Sequence, residues 1–486
     1  MPQTLSRFFG IKKDGSEPPF VPQTIPCFGH LIGVMFNRTS YYAKLRAKYG
    51  YPIFSLAMPG GRLYIINSPE LILAVQKQPR TLSFWFIEAS VTKRLGGISD
   101  RANKILLENA RGEKGENSLV VDGMKATHKA MMADGLDSMT LVSIRRAAQS
   151  IDGLEVGNSG KELDLWKWVR HIFSLAVTAG VYGPKSPYED VSLEQNLQDY
   201  ASQTLVFLTG LAPSLLVPKA YAARERIVAG FENYFRENSF DSGSELVRAR
   251  LRVLQAYGIQ PQDIARFETV NGFGILLNLL PTAFWTIWHI FSDPNLLQDA
   301  QEEARLFLSN PNWASSDSKA EDLMPIVAST MKESLRYHVS GAATRMVMED
   351  YTLNNQYLLK KDTMVLMPNS VPHFDFENWG PNADKFDAYR FSKQEPKRIH
   401  PAAFRSFGGG ANLCPGRLYS TRLILAVTAM LVLRYDMSPL TSSGTWDFPS
   451  HDESNAAIVV AQPKRKTMVK LKSIGGFQSS LQSLVI

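Results

Sequence analysis

The chain has 486 residues, 44% of them hydrophobic and 20% charged, a globular composition long enough to bury a large core. Net charge is +7, but the lysines and arginines are scattered, with no basic stripe interleaved with aromatics, which sets aside nucleic acid as a partner. The two cysteines, Cys27 and Cys414, make no disulfide framework and suit a reducing compartment.

The first stretch, residues 1–26, is polar and proline-rich, with Glu17, Pro18, Pro19, Pro22 and Pro26. It is expected to be an extended hinge, its membrane anchor absent or removed. The apolar run from Pro26 to Phe36 is too short to cross a bilayer. Residues 27–486 are expected to form a single catalytic domain, since no repeat, low-complexity block or Gly/Ser linker divides them.

In chain order, Ile53 to Met58 and Arg62 to Ile66 flank a Pro59-Gly60-Gly61 turn and predict a β-hairpin. Residues 69–78 predict a helix. Residues 81–122, with Gly96, Gly97, Gly112 and Gly115, predict long loops and a short helix. From 123 to about 330 the pattern is helical, with breaks near 152–162, 183–190 and 210–218. Short strands are expected over 340–368, then a meander rich in Pro, Asp and aromatics over 371–400. A glycine turn at 408–410 precedes Cys414, an apolar helix runs from Arg417 to Leu433, and short strands follow 445. The fold class is therefore mainly α, a large helical domain with a smaller β-rich region.

Thr269 to Ser292 contains no Asp, Glu, Lys or Arg. Its length suits a membrane span, but Asn271, Gly272, Gly274, Asn278 and Pro281 fit a helix buried in a large core better. Polar residues inside such a helix need partners or line a cavity.

The run Phe404-Arg-Ser-Phe-Gly-Gly-Gly-Ala-Asn-Leu-Cys414-Pro-Gly-Arg417 carries the sharpest chemistry. Glycines permit positive φ and close approach of backbone to a flat macrocycle. Phe407 can cover a sulfur from water. Pro415 is expected at the first position of the following helix, whose N-terminus favours an anionic sulfur. The deprotonated thiol is the species that ligates iron. A buried structural cysteine is the plainer reading of any single Cys. Yet Phe407, Gly410 and Gly416 at these offsets arise by chance about once in 4000 at the chain's own Phe and Gly frequencies.

Phe407-x-x-Gly410-x-x-x-Cys414-x-Gly416 resembles the haem-binding signature of the cytochrome P450 superfamily, and the resemblance covers nearly the whole chain. It implies the cytochrome P450 fold, haem b (iron protoporphyrin IX) with Cys414 as axial thiolate, and Phe407, Gly408, Gly410 and Gly416 as the cradle. Glu333 and Arg336 share a helix face and resemble the family's Glu-x-x-Arg pair. Arg390, in Phe386-Asp-Ala-Tyr-Arg390-Phe391, is similar to the third member of that structural triad. A surface pair is the plainer alternative for Glu333 and Arg336. Arg345 stands where the family places an arginine for a haem propionate. Two other propionate positions depart from the pattern, leaving Lys125, His128 and Arg405 as substitutes.

Most family oxygenases carry an acid and a threonine in the long central helix to relay protons to dioxygen. Aligned by Pro281, this chain has Leu277 and Asn278 there. Asn-x-x-Pro resembles the branch containing cholesterol 7-alpha-hydroxylase, sterol 12-alpha-hydroxylase, prostacyclin synthase and fungal members. Asn278 is thus read as sitting over the haem, or as bridging the helix to a strand or water. The implied substrate pocket takes in Trp85, Phe86, Val120, Asn271, Gly274 and Asn278. The resemblance implies a monooxygenase that hydroxylates or epoxidises a terpenoid, steroid or polyketide in fungal secondary metabolism. Its electrons would come from NADPH-cytochrome P450 reductase. The alternative is an isomerase, dehydratase or ring-forming enzyme independent of NADPH and dioxygen. A monomer on the cytosolic face of the endoplasmic reticulum membrane is expected, the apolar loop Leu205 to Val217 either dipping into lipid or packing as a lid.

Overall fold

The computed structural model describes residues 14–23, 25, 28–110, 115, 117–310, 319–392, 399–452 and 458–474. Cys27, Pro26 and most of the N-terminal lead lie outside them. The predicted hairpin forms: β1 (Ile53–Met58) pairs antiparallel with β2 (Gly61–Ile66), Leu56 opposite Leu63. The described part of the lead packs against the sheet. Val21 N–H bonds the Ser55 carbonyl at 3.0 Å, and buried Glu17 pairs with Arg62 while accepting from the Tyr64 hydroxyl. A carboxylate deep against β2 fixes those residues to the sheet.

After α1 (Pro69–Gln76), started by the Ser68 hydroxyl, and the short β3 (Leu82–Ser83), the chain enters α2 (Trp85–Gly96). Here the expectation for 81–122, long loops with a short helix, understates the helix present. Helices Trp85–Gly96 and Asp100–Leu107 occupy nearly half of it, because Gly97 takes a left-handed C-cap at φ 65° and the Ser99 hydroxyl caps the next N-terminus. Glycines there punctuate helices instead of preventing them. α3 (Leu119–Ala130) follows, capped by Ser118, and then the long pair Ala133–Asp152 and Leu165–Tyr182.

The uncharged segment spans the second half of α4 (Pro261–Leu276) and all of α5 (Leu279–Ser292), which separate at Leu277-Asn278. Pro281 has no N–H to return to the Leu277 carbonyl, which explains the break. This pair is the one described helix long and apolar enough to cross a membrane, but it is 83% buried inside the protein, in agreement with a core helix. It packs with α6 (Pro325–Tyr337) and α7 (Arg417–Arg434) in one apolar cluster. β4 (Ala342–Val347) and β5 (Met364–Pro368) complete a five-stranded sheet of order β1-β2-β5-β4-β3, in which only β2 and β5 run parallel. The Cys414 loop lies at the N-terminus of α7 and touches α1 of the sheet region through Gln76.

Candidate haem site

The loop before Cys414 closes through a bond from the Cys414 N–H to the Phe407 carbonyl, 2.9 Å. Gly408 has φ +78°, and a Cβ there would meet the Asn412 carbonyl at 2.7 Å. Gly410 has φ +60° and leaves only 3.0 Å between a Cβ and the Gln76 carbonyl. Both positions therefore exclude side chains. α7 begins at Arg417 with Gly416 as its N-cap, so Pro415 precedes the helix instead of opening it. The consequence for sulfur is favourable. Gly416 and Arg417 both aim backbone N–H groups at Sγ, opposing the burial that pushes the thiol's pKa up. Those donors stabilise the thiolate.

Cys414 opens onto a cavity bordered by Phe84, Trp85, Met124, His128, Asn412 and Pro415, with an almost wholly apolar wall. At its edge Arg345 lies 5.4 Å over the Phe84 ring. Arg345 and Arg405 are both buried, at 4% and 3% exposure. Burial holds each pKa down to about 10, and Arg345 depresses Arg405 further. No carboxylate among the described residues pairs with either. Arg405 Nε and Nη1 find no hydrogen-bond partner among the described residues. Two buried, mutually repelling guanidiniums are costly without anions, and two propionates would supply them. The residues present therefore fit haem.

The Glu333, Arg336 and Arg390 geometry is that of a buried clamp. Glu333 and Arg336 have no exposed surface. Arg336 Nε and Nη2 grip the carboxylate at 2.8 and 2.7 Å, and Arg390 Nε reaches it at 3.0 Å. The remaining Arg336 donors go to the carbonyls of His373, Ala383 and Lys385. A buried triad this well satisfied is tolerated, and it joins α6 to the meander.

Several expected site residues lie elsewhere. Lys125 is more than half exposed and faces Asp122, on the solvent side of α3, while His128 one turn later borders the cavity. Met124 and His128, four residues apart, share the cavity face, and Lys125 lies one step round the helix from Met124. Asn271 commits its amide to Glu268, which Arg250 also grips, so it serves that buried cluster. Val120 is packed among Ala89, Leu106 and Phe267 in a satellite core. Asn278 takes the bridging alternative: its Oδ1 accepts the Val459 N–H at 2.7 Å. Val459 in turn accepts from Ser340, and Ala461 from the Trp285 indole, so this segment is pinned over α5. Gly274 is exposed between buried Phe273 and half-buried Ile275, and a Cβ there would meet nothing within 4 Å. It borders open space. Trp85 borders the cavity, and Phe86, half-buried, sits one position round α2. Sequence reasoning missed Glu88, a carboxyl on the same helix whose signal was only an acid in an apolar run.

The fold and site define a class, a haem-thiolate protein. The comparisons agree. The family model described as Cytochrome P450 matches residues 279–470. Cytochrome P450 monooxygenase nodJ of Hypoxylon pulicicidum is 34% identical over 475 residues, covering 94% of this chain and 90% of the relative. Human 7-alpha-hydroxycholest-4-en-3-one 12-alpha-hydroxylase is 23% identical, covering 90% and 92%. Bovine prostacyclin synthase is also 23% identical, covering 94% of each. The crystal structure of a mutant cytochrome P450DA heme domain superposes with a TM-score of 0.70 at 14% identity, covering 94% of this chain and 97% of that one. The chain belongs to the cytochrome P450 family, and its cofactor is haem with a thiolate ligand.

Proposed function

We propose that the protein is a monooxygenase that hydroxylates or epoxidises a bulky lipophile, with Cys414 as the haem ligand. The observation that carries the reading is the pairing of the Cys414 loop with two buried arginines that lack protein anions among the described residues. When bound, haem supplies the activation of dioxygen, which thiolate donation favours. Cys414 holds the iron, with Gly416 and Arg417 N–H groups tempering its charge. Arg345 and Arg405 receive the propionates, His128 borders the same edge, and Phe407 shields the sulfur. Glu333, Arg336 and Arg390 keep the meander rigid behind the loop. Gly274 leaves room for substrate against α4.

Asn278 positions the Val459 segment and does not deliver protons, since its carbonyl oxygen is occupied and an amide is no acid. Proton delivery is accordingly assigned to water and to substrate hydroxyl groups. This same observation keeps a second reading open, an isomerase or dehydratase that needs no reductant. Substrate is expected among terpenoids, steroids and polyketides, in fungal secondary metabolism, a reading supported by relatives in Hypoxylon pulicicidum, Gibberella zeae and Penicillium oxalicum. Electrons are assigned to NADPH-cytochrome P450 reductase. Leu211, Leu215 and Leu216 are 67%, 80% and 62% exposed, which favours a loop that enters a membrane surface over a packed lid. The endoplasmic reticulum, cytosolic face, is the matching site, with the protein acting as a monomer. The test is turnover of a lipophilic panel. Product is expected only with reductase, NADPH and dioxygen. Equal product without them would establish the isomerase reading instead.

A further inference from the structure

Glu88 sits in the first turn of α2, one turn beyond Trp85, whose side chain borders the cavity beside Cys414. An acid in a first turn ordinarily complements the helix dipole from water. This one lies deep in the protein. It is surrounded by protein on all sides, yet its side chain retains accessible surface, so it borders internal space. Its Oε2 has no hydrogen-bond partner, and no cation among the described residues answers it. Burial alone raises its pKa to about 7.

The direction of that internal space follows from α2 itself. At its C-terminal end Gly96 rests on Val270 and the Arg266 carbonyl of α4, and Arg266 donates to the Gly96 carbonyl. At its N-terminal end Phe84 and Trp85 border the Cys414 cavity. Trp85, Glu88, Thr92 and Leu95 follow one another at spacings of three and four, so they lie along one side of the helix. That side runs from the cavity edge to α4, the helix on which Gly274 leaves its opening. Ala89, next to Glu88, is packed solid in the satellite core and carries none of this space.

A buried, unpaired carboxyl destabilises a fold unless something outside the chain satisfies it. The wall of the cavity that Trp85 borders, one turn before Glu88, is apolar. We infer that Glu88 is a specificity-determining residue which recognises a hydroxyl group on an otherwise lipophilic substrate, holding that hydroxyl by hydrogen bonding at the α2 side of the cavity. The inference rests on the reading of this cavity as the haem and substrate site. As a carboxylic acid Glu88 donates to the hydroxyl oxygen. As a carboxylate it accepts the hydroxyl hydrogen. Either form fits an alcohol, whereas an unsubstituted hydrocarbon leaves the group unsatisfied.

The test uses the haem-loaded full chain and a molecular ruler. 1-Alkylimidazoles of six to twelve carbons bind iron through nitrogen and extend the chain into the pocket. Each is compared with its ω-hydroxy counterpart by optical titration of wild type, Glu88→Gln and Glu88→Leu. At one or two chain lengths, the hydroxyl form is expected to gain about fivefold in affinity over the alkyl form in wild type, relative to the same ratio in Glu88→Leu. Glu88→Gln is expected to keep most of that gain. Glu88→Leu is also expected to raise the Tm of the holoenzyme, since it removes an unsatisfied buried group. Identical hydroxyl-to-alkyl ratios in wild type and Glu88→Leu at every length would overturn the proposal. A lowered Tm in Glu88→Leu would do so as well, by revealing a structural partner. Absence of any imidazole spectrum in wild type would instead sink the haem-site reading, and this proposal with it.

Discussion

Replacing Arg405 by leucine separates a cofactor-binding role from a structural one, because the two predict opposite signs. In the protein without haem, Arg405 Nε and Nη1 are buried without partners and Arg345 repels the guanidinium. Each unsatisfied buried donor costs about 1–3 kcal/mol, so the two together cost about 2–6 kcal/mol. Allowing for the packing that the shorter side chain gives up, Arg405→Leu should stabilise the apoprotein by about 1–3 kcal/mol. With haem bound the sign reverses. Loss of a charge-assisted hydrogen bond to a propionate costs about 1.5–3 kcal/mol, which is roughly ten- to hundredfold in haem affinity. Urea unfolding of the apoproteins gives the first quantity, and the rate of haem transfer to apomyoglobin reports the second. An apoprotein that loses stability, together with an unchanged haem-transfer rate, would show that Arg405 holds up the protein rather than the cofactor.

Three further outcomes are expected. Glu333→Ala leaves two buried guanidiniums facing each other and should cost about 3–5 kcal/mol, read as a lower urea midpoint, whereas a surface pair would cost under about 1 kcal/mol. His373 is fully buried, accepts from the Arg405 N–H and faces the Arg336 carbonyl, and its pKa is held down to about 3 by burial first and by Arg336 and Arg405 second. The unfolded chain takes up that proton near its ordinary value while the fold refuses it, so stability falls as pH drops from about 6.5 toward 3, by about 1.4 kcal/mol per pH unit. His373→Gln should flatten the urea-midpoint profile between pH 6.5 and 5 by about 2 kcal/mol, and an unaltered slope would refute the assignment. Asn278→Ala should release the Val459 N–H and cost about 1–3 kcal/mol of stability, and a variant as stable as wild type would show that the bridge carries no weight.

The sequence carried the proximal side of this site more clearly than the distal side, for physical reasons. Gly408 and Gly410 are required by positive φ and by close backbone contacts, and such constraints tolerate few residue types, so they leave a readable spacing. The Glu333–Arg336 pair is likewise fixed by helical periodicity, although its burial and the reach of Arg390 depend on a meander that no local pattern describes. Arg405 emerged only as one of three substitutes, because two of the family's propionate positions depart from the pattern. The structure distinguishes it from Lys125 by burial, a tertiary property. Asn278 had two readings that local sequence could not separate, because its partner Val459 lies 181 residues away. The extent of helix in 81–110 was underestimated because glycines mark helix ends as readily as loops. Glu88 stayed hidden for the converse reason: a lone acid says nothing until its surroundings are known.

The most direct test of the central claim is the ferrous–CO absorption spectrum of the purified, haem-loaded protein beside Cys414→His. Wild type should show the Soret band displaced to the long wavelength that a thiolate trans ligand imposes, and Cys414→His should bind haem with the band at the shorter wavelength of an imidazole ligand. A Cys414→His protein that keeps the wild-type band would contradict the account, because some other residue would then be holding the iron.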